Sequence, residues 1–245
     1  MSVAKAPGDG YTLFLGNIAN VINVTLKKGA SLDLRHSMTA VALVCTLPNI
    51  LVVNPTMKAT TVAELIATAK SKPGQVSFGS SGYGTAPHLS GELFKSMAGI
   101  DMVHVAYNGS AQAMQDLIGG RLQVLFSPAS TALGQIEAGT VRALGWTIAT
   151  RGTSLPDLPT VAESGLPGFD TSIWFGINAP PGLSDPIRDL IVDAVAHTGR
   201  LPAVVKNLRS QGIEPLVGGP VIYARYIDDE TIKWAAVARK AGLVK

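Results

Sequence analysis

The sequence predicts an α/β fold with mostly parallel sheets flanked by helices, and three observations carry that expectation. Short apolar runs alternate at close range with segments of helical spacing, the grammar of βαβ units. At 245 residues and 47% hydrophobic, the chain can bury the core of one large α/β domain or of two lobes. Charged residues are 15% and aromatics 6%, against 26 Gly and 15 Pro, which suits many short elements joined by tight turns and argues against coiled coil, disorder or a helical bundle.

In chain order, "MSVAKAPGDG" lacks the charged, apolar and small-residue regions of a secretory signal, so the chain reads as starting in mid-fold. "PGDG" is a turn and Tyr11 to Gly16 a buried strand. "SMTAVALVCTLPNILVVNP" reads as two strands broken at Leu47-Pro48-Asn49. In "TTVAELIATAKSKPG", Thr61 and Glu64 form a capping box, Val62, Leu65, Ile66 and Ala69 make one apolar face, and Pro73-Gly74 stops the helix. The pattern then repeats: strand 76–78 and helix 86–98, strand 102–105 and helix 110–118 with Ser110 as N-cap, strand 122–126 and helix 130–138, then strand 141–148. Residues 151–168, rich in Pro and Gly with a second capping box at Thr160 and Glu163, read as a connection between lobes. A strand from Ser172 to Asn178 follows, then a helix capped by Ser184 with Ile187, Leu190, Ile191 and Ala194 on one face, then helices 202–211 and 221–241.

The net charge is +3 with scattered Lys and Arg, Lys27-Lys28 being the nearest to a cluster, so nucleic acid is not an expected partner. Cys45, the single cysteine, lies in an apolar run and reads as a packing residue. No stretch reaches the roughly 18 apolar residues of a membrane helix. His36, His88, His104 and His197 show no metal-ligand spacing, and no cofactor motif is present. Asp185, Asp189 and Asp193, and the run Asp228-Asp229-Glu230, read as solvated faces.

The segment "SFGSSGYGTAPHLSGELF", Ser77 to Phe94, carries the candidate chemistry. As a P-loop it fails at Thr85, which stands where the lysine belongs, and its glycines Gly79, Gly82 and Gly84 have the wrong order for a dinucleotide fingerprint. As a nucleophile elbow centred on Ser81 it fails at Tyr83, which occupies the last glycine position. A strand ending in small residues before a helix start presents backbone N–H groups and a helix dipole, with the hydroxyls of Ser80, Ser81 and Thr85 as further donors. That suits an anion. A purely structural turn remains the alternative, because one charge at a helix N-terminus contributes only about 0.3–1 kcal/mol.

Beyond this loop, "DGYTLFLGN", "LPNILVVNP", the stretch from "TTVAELIATAKSKPG" through "IDMVHVAYNGSAQAMQDLIGGRLQVLF", "LPDLPTVAESGLPGFDTSIWFGINAPPG" and "GIEP" together resemble the substrate-binding receptors of tripartite tricarboxylate transporters, also called the Bordetella uptake gene family. The resemblance covers nearly the whole chain. It implies a two-lobed periplasmic binding protein fold, type II-like, with residues 1–55 and 172–245 as a discontinuous lobe one and 56–171 as lobe two. It implies no catalysis, a small organic carboxylate held in the cleft by amides, hydroxyls and waters, and membrane transporter subunits as partners of a monomeric receptor. Carried onto this sequence, the ligand-binding positions are Ser80, Ser81, Gly82, Tyr83, Gly84 and Thr85; Tyr107, Gly109 and Ser110; Gly16 and Asn17; and Ser127.

Relatives of this kind carry a signal peptide and a first βαβ segment with a ligand loop, so on this resemblance the chain is expected to be an N-terminally shortened form. A periplasmic location is therefore expected from the resemblance, and a cytoplasmic one if Met1 is the true start. The alternatives are a cytosolic carboxylate sensor, a non-transport remnant, or a serine hydrolase using Ser80 or Ser81. Ala106 and Asn108 replace the family's Pro and Lys. Gln123 and Ser127 stand where relatives often have aspartates, so the expected ligand lacks a free amine.

Overall fold

The computed structural model describes residues 3–26 and 32–244; Lys27 and Lys28 lie outside them. It is an α/β structure of eight strands and eight α-helices among the described residues, and it divides into two compact units.

Unit one comprises Met1–Thr46, Trp174–Arg209 and Glu214–Lys245. In it β1 (Phe14–Asn17) pairs antiparallel with β7 (Ser172–Ala179), Phe14 opposite Asn178 and Asn17 opposite Phe175. The first part of β2 (Thr39–Val53) pairs antiparallel with β8 (Glu214–Gly218). Helix α1 (Ile18–Leu26) packs on α8 (Pro220–Lys240), bringing Val21 and Ile22 into a core with Tyr223, Ile227 and Trp234. Helices α6 (Asp185–Thr198) and α7 (Pro202–Ser210) have no fully buried residue. The expected buried strand at Tyr11 is shorter than its apolar run: Tyr11 is 94% exposed, and Leu13 and Leu15 are exposed too, leaving Gly16 as the buried position. Glu230 corrects the reading of 228–230 as wholly solvated. It is buried, its carboxylate accepts the indole N–H groups of Trp174 (3.1 Å) and Trp234 (2.8 Å), and Lys233 pairs with it, so a buried charge is neutralised and hydrogen-bonded.

Unit two comprises Leu47–Ile173 and Ser210–Ile213. Its strands β3 (Ser77–Ser80), β4 (Val103–Ala106) and β5 (Val124–Pro128) lie in the order β4-β3-β5, all parallel, as alternation with α3 (Ala86–Ala98), α4 (Ser110–Ile118) and α5 (Ala129–Glu137) requires. The sheet is mixed, because β2 runs antiparallel to β5 and to β6 (Arg142–Trp146). Side chains on β2 alternate between two cores, as a strand buried on both faces must. Leu51 and Val53 join Phe78, Phe94, Phe126 and α2 (Val62–Ser71); Ile50 and Val52 join Met114, Leu117, Leu125, Ala132 and Trp146 on the α4 and α5 face.

The expected break at Leu47-Pro48-Asn49 does not occur: β2 is one strand of 15 residues. It pairs with β8 as far as Thr46 and with β5 from Asn49, so the N–H that Pro48 lacks falls between the two runs of pairing. Thr61 caps α2 as its sequence predicts, accepting from the Glu64 N–H at 3.1 Å, while the Glu64 carboxylate takes the Thr60 N–H. Thr160 and Glu163 close a reciprocal box around a turn instead of a helix.

Candidate functional site

The carboxyl ends of β3, β4 and β5 each run into the N-terminus of a helix, and the candidate residues of unit two gather there. From β3 the chain turns through Gly82 (φ 132°) and Gly84 (φ 73°), conformations that a side chain rarely adopts, before α3 begins at Ala86. The Gly82 carbonyl is the knot of this loop. It accepts from Ser80 Oγ (3.1 Å), Thr85 Oγ1 (2.7 Å) and the Thr85 N–H (3.4 Å). In return the Gly82 N–H donates to Ser80 Oγ at 3.1 Å. The expected donor hydroxyls of Ser80 and Thr85 are thus engaged in shaping the loop. Thr85 makes no side-chain cap on α3, so the first-turn N–H groups of Ala86 and His88 keep no helical acceptor, and Pro87 has none to offer. Ser81 is half-buried. Tyr83 is 74% exposed and stands edge-on against His88 and His104 at 5.4 and 4.9 Å.

Two histidines that sequence spacing kept apart lie under this loop. His88 of α3 stacks on His104 of β4 with centroids 4.0 Å apart, and each supports the turn: His88 Nδ1 accepts the Gly84 N–H at 3.2 Å and His104 Nε2 meets Ser80 Oγ at 2.7 Å. Burial holds both below the ordinary imidazole value, at about 4, helped for His88 by Lys95 and for His104 by His88 and then Lys95. Both rings are therefore neutral at pH 7. The register Phe78 opposite His104 predicts their nearness to β3 only once strand order is known.

At the β4 junction Gly109 (φ 128°), not Ser110, occupies the N-cap of α4, because the backbone there takes a form that favours glycine. Ser110 instead reaches Thr131 of α5 at 3.3 Å, tying the starts of the two helices together. The Tyr107 hydroxyl turns away from the loop and donates to Asp116 at 3.0 Å, with Arg121 on the same carboxylate. Burial and that acidic acceptor push the phenol up to about 12. Ser127 is buried and donates to the Pro128 carbonyl, one residue before α5. Gln123 is four residues away along β5, roughly 13 Å, at the amino end of the strands, where its Oε1 accepts from the Ser77 N–H and hydroxyl. Of the two positions expected to bear on an amine, only Ser127 stands at the end of β5 that runs into a helix.

Gly16 and Asn17 belong to unit one. A Cβ at Gly16 would come within 2.4 Å of Asn178 Nδ2 and 2.9 Å of Leu34, so only glycine fits. Asn17 caps α1: its Oδ1 accepts the Ala19 N–H at 2.9 Å while its own N–H donates to Asn20 Oδ1 at 3.0 Å. A groove of about 470 Å3 in the same unit, between Val195, Leu208 and Val217, is lined mainly by apolar side chains, with Thr198 among them and no charged residue in its lining. Among the described residues no three His, Cys, Asp or Glu side chains are placed to hold a metal ion, and no helix is long and apolar enough to cross a membrane. Cys45 is buried in a strand and its thiol is pushed up by that burial, which leaves it unreactive.

The fold is that of the periplasmic binding proteins. It superposes on periplasmic binding protein BugD with a TM-score of 0.86 at 28% identity, over 100% of this chain and 82% of that one. A structure of R. palustris Rpa4515 with adipate matches with a TM-score of 0.88 at 34% identity, over 98% of this chain and 81% of that one. Protein BugT of Bordetella pertussis is 33% identical over 243 residues, 98% of this chain and 74% of that protein. The chain belongs to the tripartite tricarboxylate transporter family receptors, whose family model matches residues 1–243.

Proposed function

We propose that the chain is a non-enzymatic solute receptor that captures a small organic carboxylate and hands it to membrane transporter subunits, acting in the periplasm like the binding proteins it resembles. The observation that carries this reading is the convergence of three helix N-termini at the carboxyl ends of β3, β4 and β5. Ligands of open α/β sheets bind at this edge. Each N-terminus adds unpaired N–H groups and a partial positive charge, and no carboxylate side chain stands among Ser80–Thr85, Gly109–Ser110 or Ser127–Pro128 to oppose an anion. The adipate held by one relative supports the same ligand class.

One contact favours a second reading. Ser80 Oγ and His104 Nε2, 2.7 Å apart, have the spacing of a nucleophile and its base. Ser80 is fully buried, however, and no described group bonds His104 Nδ1 to orient the ring, so the pair reads as part of the loop's support. Thermal unfolding with adipate, succinate and citrate, alongside ester hydrolysis by wild type and Ser80→Ala, separates the two. The receptor reading expects stabilisation of about 2.7 kcal/mol by an acid at 100 times its Kd and no turnover. Turnover lost in Ser80→Ala, with no acid stabilising the protein, would reverse the assignment.

A further inference from the structure

Asn49 is fully buried on β2, and both its Nδ2 and its Oδ1 lack any hydrogen-bond partner. Buried polar atoms are satisfied nearly everywhere in folded proteins. Asn54, five residues along the same strand's course, shows the ordinary case: its Nδ2 donates to the Leu117 carbonyl at 2.6 Å and its Oδ1 accepts the Thr56 N–H at 2.9 Å. Nothing comparable reaches Asn49, although hydroxyls crowd its backbone. Its carbonyl accepts from both the N–H and the hydroxyl of Thr147; Thr147 Oγ1 also approaches the Thr171 carbonyl at 2.7 Å, and Thr171 Oγ1 accepts from Ser90 of α3 at 2.8 Å.

The position of this residue is specific. Asn49 lies opposite Pro128, the residue from which α5 starts, so it stands at the edge where β3, β4 and β5 end. Strand alternation puts its side chain on the same face as Leu51 and Val53, the face covered by α3. Ser80 shares that face through Phe78. The unpartnered amide therefore faces the side of the sheet on which the Ser80–Thr85 loop opens into a helix.

We propose that the Asn49 carboxamide completes its hydrogen bonds on the ligand, and that the ligand class is a hydroxy-carboxylate. This rests on the receptor reading above. An ionised dicarboxylate offers acceptors only; it satisfies Nδ2 and leaves Oδ1 without a donor. A hydroxyl beside the carboxylate supplies that donor. An ammonium group would supply it too, but a buried cation calls for a carboxylate partner, and none stands among the Ser80–Thr85 loop residues.

L-Malate and succinate differ only by a hydroxyl and are the probes. Calorimetry of wild type expects malate to bind at least tenfold more tightly than succinate. Asn49→Leu, close in volume and without polar atoms, keeps or raises the melting temperature of the ligand-free protein, binds both acids more weakly than wild type, and loses the preference between them. A lowered melting temperature in Asn49→Leu, equal binding of the two acids by wild type, or a preference that survives the substitution would each overturn the inference. Binding of adipate with neither malate nor succinate would overturn it while leaving the receptor reading intact. Binding of no carboxylate at all would overturn both.

Discussion

A single methyl group on Gly82 reports how much of the loop is backbone geometry. At φ 132° an alanine is strained by about 1–3 kcal/mol, and relief moves the carbonyl that gathers Ser80, Thr85 and the Thr85 N–H. Gly82→Ala is expected to stay folded in urea titrations and to lose at least tenfold in carboxylate affinity; unchanged affinity would mean that the loop does not hold the ligand. The histidines beneath it give a pH signature. Both protonate near 6.5 when unfolded but only near 4 when folded. Between those values the unfolded chain binds more protons, so stability is whole above about pH 6.5 and falls as pH drops toward 4. For His88, 2% exposed, the loss is on the order of 3 kcal/mol; His104, less buried, adds less. Urea unfolding at pH 7.5, 5.5 and 4 should show this slope in wild type and a shallower one in the double variant His88→Gln, His104→Gln. Parallel slopes would contradict it. Residues such as Ser80–Thr85 were legible in sequence because small residues, glycines and a helix start are neighbours in the chain. Asn49, His88 and His104 were not, because their roles depend on strand register and on which face each side chain takes.

Helix α3 can start where it does because it lies very close to β3. A Cβ at Gly91 would sit 2.1 Å from the Phe78 ring, so the glycine is the groove into which the phenyl packs. In an exposed helix Gly→Ala stabilises by up to about 1 kcal/mol; here overpacking reverses the sign. Gly91→Ala is expected to destabilise by about 1–3 kcal/mol or more, read as a lower urea midpoint, and a raised midpoint would show that α3 is free to move off the sheet. At this scale the sequence was most readable where the signal is local. The helices at 86–98 and 110–118 keep the boundaries that periodicity and glycine stops define. It was least readable at β2, where proline and the turn-forming Asn49 argue for a break that two successive pairing partners remove, and at the cap of α4, where Ser110 looks like the capping residue but Gly109 has the required backbone.

For the molecule as a whole, the alternation of strands and helices conveyed the α/β class, and the parallel run of β3, β4 and β5 follows from it. The antiparallel course of β2 does not, since nothing local in an apolar run sets its direction. On the proposed receptor reading, the net charge of +3 is too small to capture anions by long-range attraction alone, which would leave the work to oriented N–H groups. Amide resonances follow those groups directly. Titration of uniformly 15N-labelled protein with malate or adipate, monitored by 1H–15N correlation spectra, tests the central claim. The account predicts saturable shifts of the Ser81–His88 amides and of those around Gly109–Ser110; saturable binding that leaves these amides unmoved would contradict it.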